Sequence, residues 1–310
     1  MTTRRDTISI ASAAYPLEWH ESWASVEEKL TRWVGEAAGK GADLLVFPEY
    51  GAMELASLAG AAAAADPKRA LAAAAERRAQ ADALLAALAA KHRVHILGGS
   101  GPVFDGIERP VNRATFFGPD GVLGHQDKQV MTPYERAPLD VVPGNALTLF
   151  ITELGRIGIL ICYDSEFPLF ARAFSEAGAE ILLVPSCTET RAGFTRVRVG
   201  AMARALENQC VTVHSATVGA AEWCPPVDHN IGCAAIYGPP DTGWPDTGIL
   251  TETALNEPGW AFAKVSRKAI AEVRSQGGVR NFSHWNEQIT RCAQVEIRQS
   301  DDNPLEKQGQ

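Results

Sequence analysis

Arg156-Ile157-Gly158-Ile159-Leu160-Ile161-Cys162-Tyr163-Asp164-Ser165-Glu166-Phe167-Pro168 is an apolar run that ends in a thiol and then turns polar before a proline. A short run with Gly spacing reads as a strand buried on both faces, and Pro168 at the start of the next amphipathic stretch reads as the first residue of a helix. Cys162 therefore sits at a strand-to-helix elbow on a sheet rim, where backbone N–H groups without partners face whatever binds there. A free thiol is only slightly ionised at neutral pH, so such surroundings, or a neighbouring base, are needed to make it reactive.

Two other segments supply the missing chemistry. Asp43-Leu-Leu-Val-Phe-Pro48-Glu49-Tyr50 is a second buried-strand pattern that Pro48 must end, which leaves Glu49 at a strand's carboxyl end. Gly124-His-Gln-Asp-Lys128-Gln-Val-Met-Thr-Pro-Tyr-Glu135 is a polar loop following the strand-like Asn112–Phe117. A carboxylate, a lysine and a thiol thus occur in the order Glu49, Lys128, Cys162.

In that order and on those elements the three residues resemble the nitrilase superfamily, the carbon–nitrogen hydrolases. The resemblance covers most of the chain, including Asn112-Arg113-Ala114, Leu183-Val184-Pro185-Ser186 and Arg204-Ala205-Leu206-Glu207-Asn208-Gln209. It implies an α/β fold, a four-layer α-β-β-α sandwich, in protomers that pair as homodimers or higher homo-oligomers. It further implies Cys162 as nucleophile, Glu49 as general base and then acid, Lys128 as the cation on the tetrahedral intermediate, the Tyr163 backbone N–H as second oxyanion donor, and Glu135 as a second acid orienting substrate or lysine. Cys-Tyr-Asp followed by Phe-Pro resembles the amidase and ω-amidase branches, so the expected reaction is hydrolysis of a small-molecule amide through a thioester. A nitrile or N-carbamoyl substrate on the same residues is the alternative. Two further rivals are a thiol hydrolase pairing Cys162 with His214 and a retired member that only binds ligand. Tyr50, Tyr134, Ser186 and Trp223 are candidates for the substrate-pocket lining.

Composition agrees with a catalytic domain. The chain has 310 residues, 46% hydrophobic and 21% charged, with a formal net charge of −8, and neither that charge nor any basic run suits a nucleic-acid surface. No apolar stretch approaches the ~20 residues of a membrane span, so the expected compartment is the cytoplasm. The six cysteines, at 162, 187, 210, 224, 233 and 292, are scattered and read as reduced thiols. Cys224, Asp228, His229 and Cys233 lack common zinc spacing, and neither a metal nor a cofactor is expected.

Strand and helix signals alternate along the chain. Residues 7–14 read as a strand and 22–39 as a helix with Trp23, Val26, Leu30, Trp33 and Val34 on one face. Asp66-Pro67 opens an alanine-rich helix to His92, with Asp66 as N-cap. Gly98-Gly99 marks a turn or a close backbone approach. Residues 168–178 and 191–209 read as helices, and 181–185, 210–219 and 260–265 as strands. Arg196, Arg198 and Arg204 read as a solvated face, or else reach the site's mouth. A single catalytic domain over 1–285 with a polar arm or tail over 286–310 is the expected organisation.

Overall fold

The computed structural model describes residues 5–298; the Asp301–Pro304 part of the expected tail lies outside them. Three parallel strands, Thr7–Pro16, Leu44–Val46 and His95–Leu97, form one half of the sheet system. Three more, Gly155–Ile159, Ile181–Ser186 and Val211–Ala220, form the other. The halves join where Ala14 runs parallel beside Ala216. Carboxyl ends of both sets therefore point to one edge, and a crevice opens there.

Alternation along each strand builds the layers. Ile8, Ile10, Leu44 and Val46 share a core with Ile157, Ile159, Leu183 and Val213 of the other half. Their neighbours Ala11, Ala13, Tyr15 and Leu45 face the opposite way, against Val26 and Trp33 of the helix Trp23–Gly39 and Leu71 and Leu85 of the helix Pro67–His92. On the far side, Phe174 of the helix Pro168–Glu176 and Val197 and Ala201 of the helix Arg191–Asn208 cover the second half. Helix, sheet, sheet, helix is the four-layer order expected. Each fully buried Leu or Ile in these faces contributes about 1.5–3 kcal/mol.

Local signals explain the joints. Asp66 accepts from Arg69 N at 2.9 Å and caps the helix that Pro67 opens. Trp33 packs on Tyr15 and Trp260, with ring centroids 4.8 and 5.3 Å apart, as core and not as a ligand cage. The Gly98-Gly99 pair is a close approach: a Cβ on Gly99 would stand 2.9 Å from Gly51 Cα. That contact lets the segment after Leu97 lie against the one after Glu49. The last strand among the described residues, Gly259–Ser266, pairs antiparallel with Thr7–Ala14 along eight residue pairs.

Several expectations need correction. The polar loop around Lys128 is more ordered than its composition suggests, because Gly121–Asp127 is a strand paired with Val111–Gly118 and Pro133–Arg136 is a short helix. A 3-10 turn, Cys162–Glu166, stands between the strand and the helix that starts at Pro168, so the free N–H groups at Cys162 belong to the turn. Arg204 is not solvated: it is buried, bonded to Glu207 and the Ser165 carbonyl, whereas Arg198 pairs with Glu252 at 2.8 Å. Among the described residues, no helix is long and apolar enough to cross a membrane.

Candidate active site

Each central residue stands where a strand stops. Glu49 follows Leu44–Val46, Lys128 follows Gly121–Asp127 and Cys162 follows Gly155–Ile159 at the same sheet edge. Lys128 Nζ lies 2.7 Å from Glu49 Oε1 and 2.7 Å from Glu135 Oε2, and all three side chains are buried. An ammonium carries three donors, so two are engaged by carboxylates and one is left for a ligand.

The two acids are held differently. Glu49 Oε1 also accepts from Asn112 Nδ2 at 3.0 Å, and its Oε2 from the Cys187 backbone N–H at 3.0 Å. Glu135 Oε2 accepts from Thr132 N and Oγ1, and its Oε1 accepts from Tyr50 OH at 3.0 Å. Thr132-Pro133-Tyr134-Glu135 is a capping box, in which Glu135 N donates back to Thr132 Oγ1 at 3.2 Å. The same short helix start that aims Glu135 also stiffens the loop.

Environment separates their ionisation. Burial pushes the Glu49 carboxyl above its ordinary value against the pull of Lys128. Burial also presses Glu135 upward, but Lys128 and the donors from Thr132 and Tyr50 outweigh it and hold that carboxyl low. Lys128 is desolvated too, yet the facing Glu135 and Glu49 charges keep it well above the usual lysine range. For Cys162, burial and then the Glu49 charge raise the thiol well above its normal value. On these directions the sulfur is held as a thiol, Lys128 and Glu135 are held charged, and Glu49 is the carboxyl that takes up a proton more readily than Glu135.

Backbone geometry and a buried acid position the sulfur. Cys162 has φ of 49° and Tyr50 has φ of 53°, left-handed values that cost a non-glycine residue about 1–3 kcal/mol. Ser165 Oγ donates to the Cys162 carbonyl at 2.7 Å and steadies that turn. Tyr163 lies in the turn's first positions, where N–H groups have no intrahelical acceptor. Asp164 accepts from Val130 N at 2.9 Å and from Gln129 N at 3.1 Å, clamping the residues after Lys128 onto the turn carrying the sulfur. Burial, opposed by Lys128 and these amides, raises the Asp164 carboxyl to about 7.

Cys162 opens into a cavity of about 570 Å³ lined by Glu49, Tyr50, Lys128, Tyr134, Glu135 and Tyr163 among others. Two of the proposed lining residues are elsewhere. Ser186 still belongs to its strand, fully buried, hydrogen-bonded to His214 Nε2 at 2.8 Å and to the Ser215 carbonyl. Strand alternation gives the cavity position to Cys187 instead. Trp223 packs edge-on against Trp19, centroids 5.5 Å apart, and does not line the cavity. His214 is enclosed, its imidazole pushed down to about 3 by burial and then by Arg198, and it is not in the cavity wall with Cys162. That placement removes the cysteine–histidine pairing.

Asn112 and Asp164 stand in stretches that carry the resemblance but have no site role assigned from sequence, and the Cys187 N–H is not singled out at all. Asn112 could have been found from its place opposite the polar loop; a backbone N–H leaves no residue-type signal.

The carbon–nitrogen hydrolase family model matches residues 9–274. Probable hydrolase YhcX of Bacillus subtilis is 33% identical over 275 residues, 89% of this chain and 53% of that protein, so the chain spans about half the relative's length. A deaminated glutathione amidase of Synechocystis sp. is 28% identical over 259 residues, covering 77% of this chain and 85% of that one. Among solved structures, an amidase from Nesterenkonia sp. shares the fold with a TM-score of 0.66 at 23% identity, covering 93% of this chain and 99% of that chain. Matched over most of its length by the family model, and carrying a buried Glu49–Lys128–Glu135 network beside a cysteine elbow, the chain belongs to the carbon–nitrogen hydrolase family.

Proposed function

We propose that the protein hydrolyses a linear small-molecule amide to a carboxylic acid and ammonia through a thioester on Cys162. The observation that carries this reading is the buried ion network, with Lys128 held between two carboxylates at 2.7 Å beside a protonated thiol at the floor of an open cavity. Glu49 takes the Sγ proton as the sulfur attacks the amide carbon. The oxygen that gains charge is met by the free donor of Lys128 and the Tyr163 N–H. Glu49 returns its proton to nitrogen, the C–N bond breaks and ammonia leaves. The same carboxylate then takes a proton from water, whose oxygen attacks the thioester, and the acid departs with the thiol re-formed. Glu135 keeps Lys128 charged and fixed throughout.

The names of the relatives support an amide as substrate, and a Nesterenkonia amidase variant has been solved with acrylamide added at its active-site cysteine. We assign the catalytic unit to 1–285 and its working form to a homodimer, on the resemblance described above. The test is ammonia release from aliphatic, aromatic and dicarboxylic monoamides, the matching nitriles and N-carbamoyl amino acids, with Cys162→Ala in parallel. Release from an amide class that vanishes in the variant is expected. Release from nitriles or carbamoyl compounds alone transfers the machinery to the alternative substrates, and silence across the panel favours a binding protein.

A further inference from the structure

The cavity wall beyond the reacting groups carries charges that chemistry at the floor does not require. Glu166, Glu189, Asp228 and Arg196 all line it. Arg196 Nε lies 3.7 Å from Glu166 Oε1, so that cation is offset by its neighbour. Among the described residues neither Glu189 nor Asp228 has an ion-pair partner, and Asp228 Oδ1 accepts a hydrogen bond from His229 N at 2.8 Å. The floor adds to the imbalance, since Lys128 faces two carboxylates.

Both unpaired acids act on the same opening. Tyr134, whose hydroxyl donates to the Pro225 carbonyl at 3.3 Å, spans from the lysine loop to the segment carrying Asp228. Tyr134, Glu189 and Asp228 line the same cavity, and the phenol is raised first by burial and then by the Asp228 and Glu189 charges. Glu189 is exposed and Asp228 half-buried, and a concave wall of one sign focuses potential on whatever enters it. A carboxylate-ended acyl chain meets two acids there; a cation-ended chain finds two partners.

We propose that the acyl part of the substrate ends in a cation, a protonated amine or guanidinium, received between Glu189 and Asp228 while the amide lies over Cys162. The assignment rests on the amide-hydrolysis reading and narrows it to basic linear amides. Glu189 and Asp228 are then specificity residues, and Arg196 tempers them from across the mouth.

The experiment compares kcat/KM for γ-aminobutyramide, butyramide and succinamate, chains of similar length whose far ends are cationic, neutral and anionic. Assays run near pH ~8, where histidine is neutral, with and without added sodium chloride. The cationic amide should exceed the anionic one by roughly tenfold or more, the sum of two partly exposed pairs, and salt should compress that ratio. The Glu189→Gln, Asp228→Asn double variant should bring the ratio toward one, whereas Arg196→Gln should raise it. Damage to the fold would move all three substrates together. Equal turnover of the three, or preference for succinamate, overturns the proposal and leaves amide hydrolysis standing. Failure of all three amides while a nitrile or N-carbamoyl compound reacts removes the amide reading and this one with it.

Discussion

Lys128→Ala is expected to lower kcat by about 10²–10³, the cost of removing one donor to a developing oxyanion, and to destabilise the fold as well. The second effect follows from what the lysine leaves behind. Glu49 and Glu135 lie on either side of it at 2.7 Å, buried, and removing one member of a buried pair costs about 3–5 kcal/mol. Without the ammonium, both carboxyls would have folded-state pKa values raised above their unfolded ones. Stability is then greatest below the unfolded carboxylate range and is lost as pH rises through the raised values. Urea denaturation should therefore show a deficit near pH ~7 that shrinks toward pH ~5. Partial recovery of turnover with added alkylammonium would separate the lost charge from a collapsed pocket. Near-normal turnover would remove the lysine from the mechanism.

Glu49→Gln should reduce kcat by about 10²–10⁴, the usual share of a positioned general base, with smaller effect on KM. The amide keeps the size of the acid and can still accept from the Cys187 N–H. Its pH profile is the sharper readout. A base works when deprotonated, and burial holds the Glu49 carboxyl above the ordinary glutamate value, so wild-type activity should fall as pH drops through that raised value. In the glutamine variant this acid limb should vanish, leaving a flat, low rate. An unchanged limb would transfer it to another carboxyl, with Asp164, raised to about 7, as the nearest alternative.

Two of the candidate catalytic groups are readable in the sequence because they follow apolar runs: Leu44 to Phe47 before Glu49 and Ile157 to Ile161 before Cys162. Lys128 was harder, since Gly121–Asp127 is half exposed and shows no such run. Alternating strand and helix signals reach as far as an α/β fold, and the four layers came from the resemblance alone. What could not be read belongs to contacts between distant segments. Glu49 is held by Asn112 and by the Cys187 amide, and Asp164 by amides after Lys128, none of which has a local pattern. The pocket lining failed at Ser186 by one residue, because where a strand releases its last side chain depends on its partner: Ser186 is still registered against Ala216. The positive φ at Cys162 was equally hidden, for a cysteine at that position does not advertise it as glycine would.

The pairing of Thr7–Ala14 with Trp260 and its neighbours has a consequence for how the molecule is made. During synthesis on the ribosome the first strand emerges early, but its longest partner, Gly259–Ser266, emerges late. Until then most of one edge of that strand is open, a template for other chains. A nascent chain halted before residue ~250 should be retained by chaperones or aggregate, and its cysteines should be alkylated freely. Release past the last strand should abruptly protect the buried Cys210 from alkylation, so that its protection reports closure of the sheet.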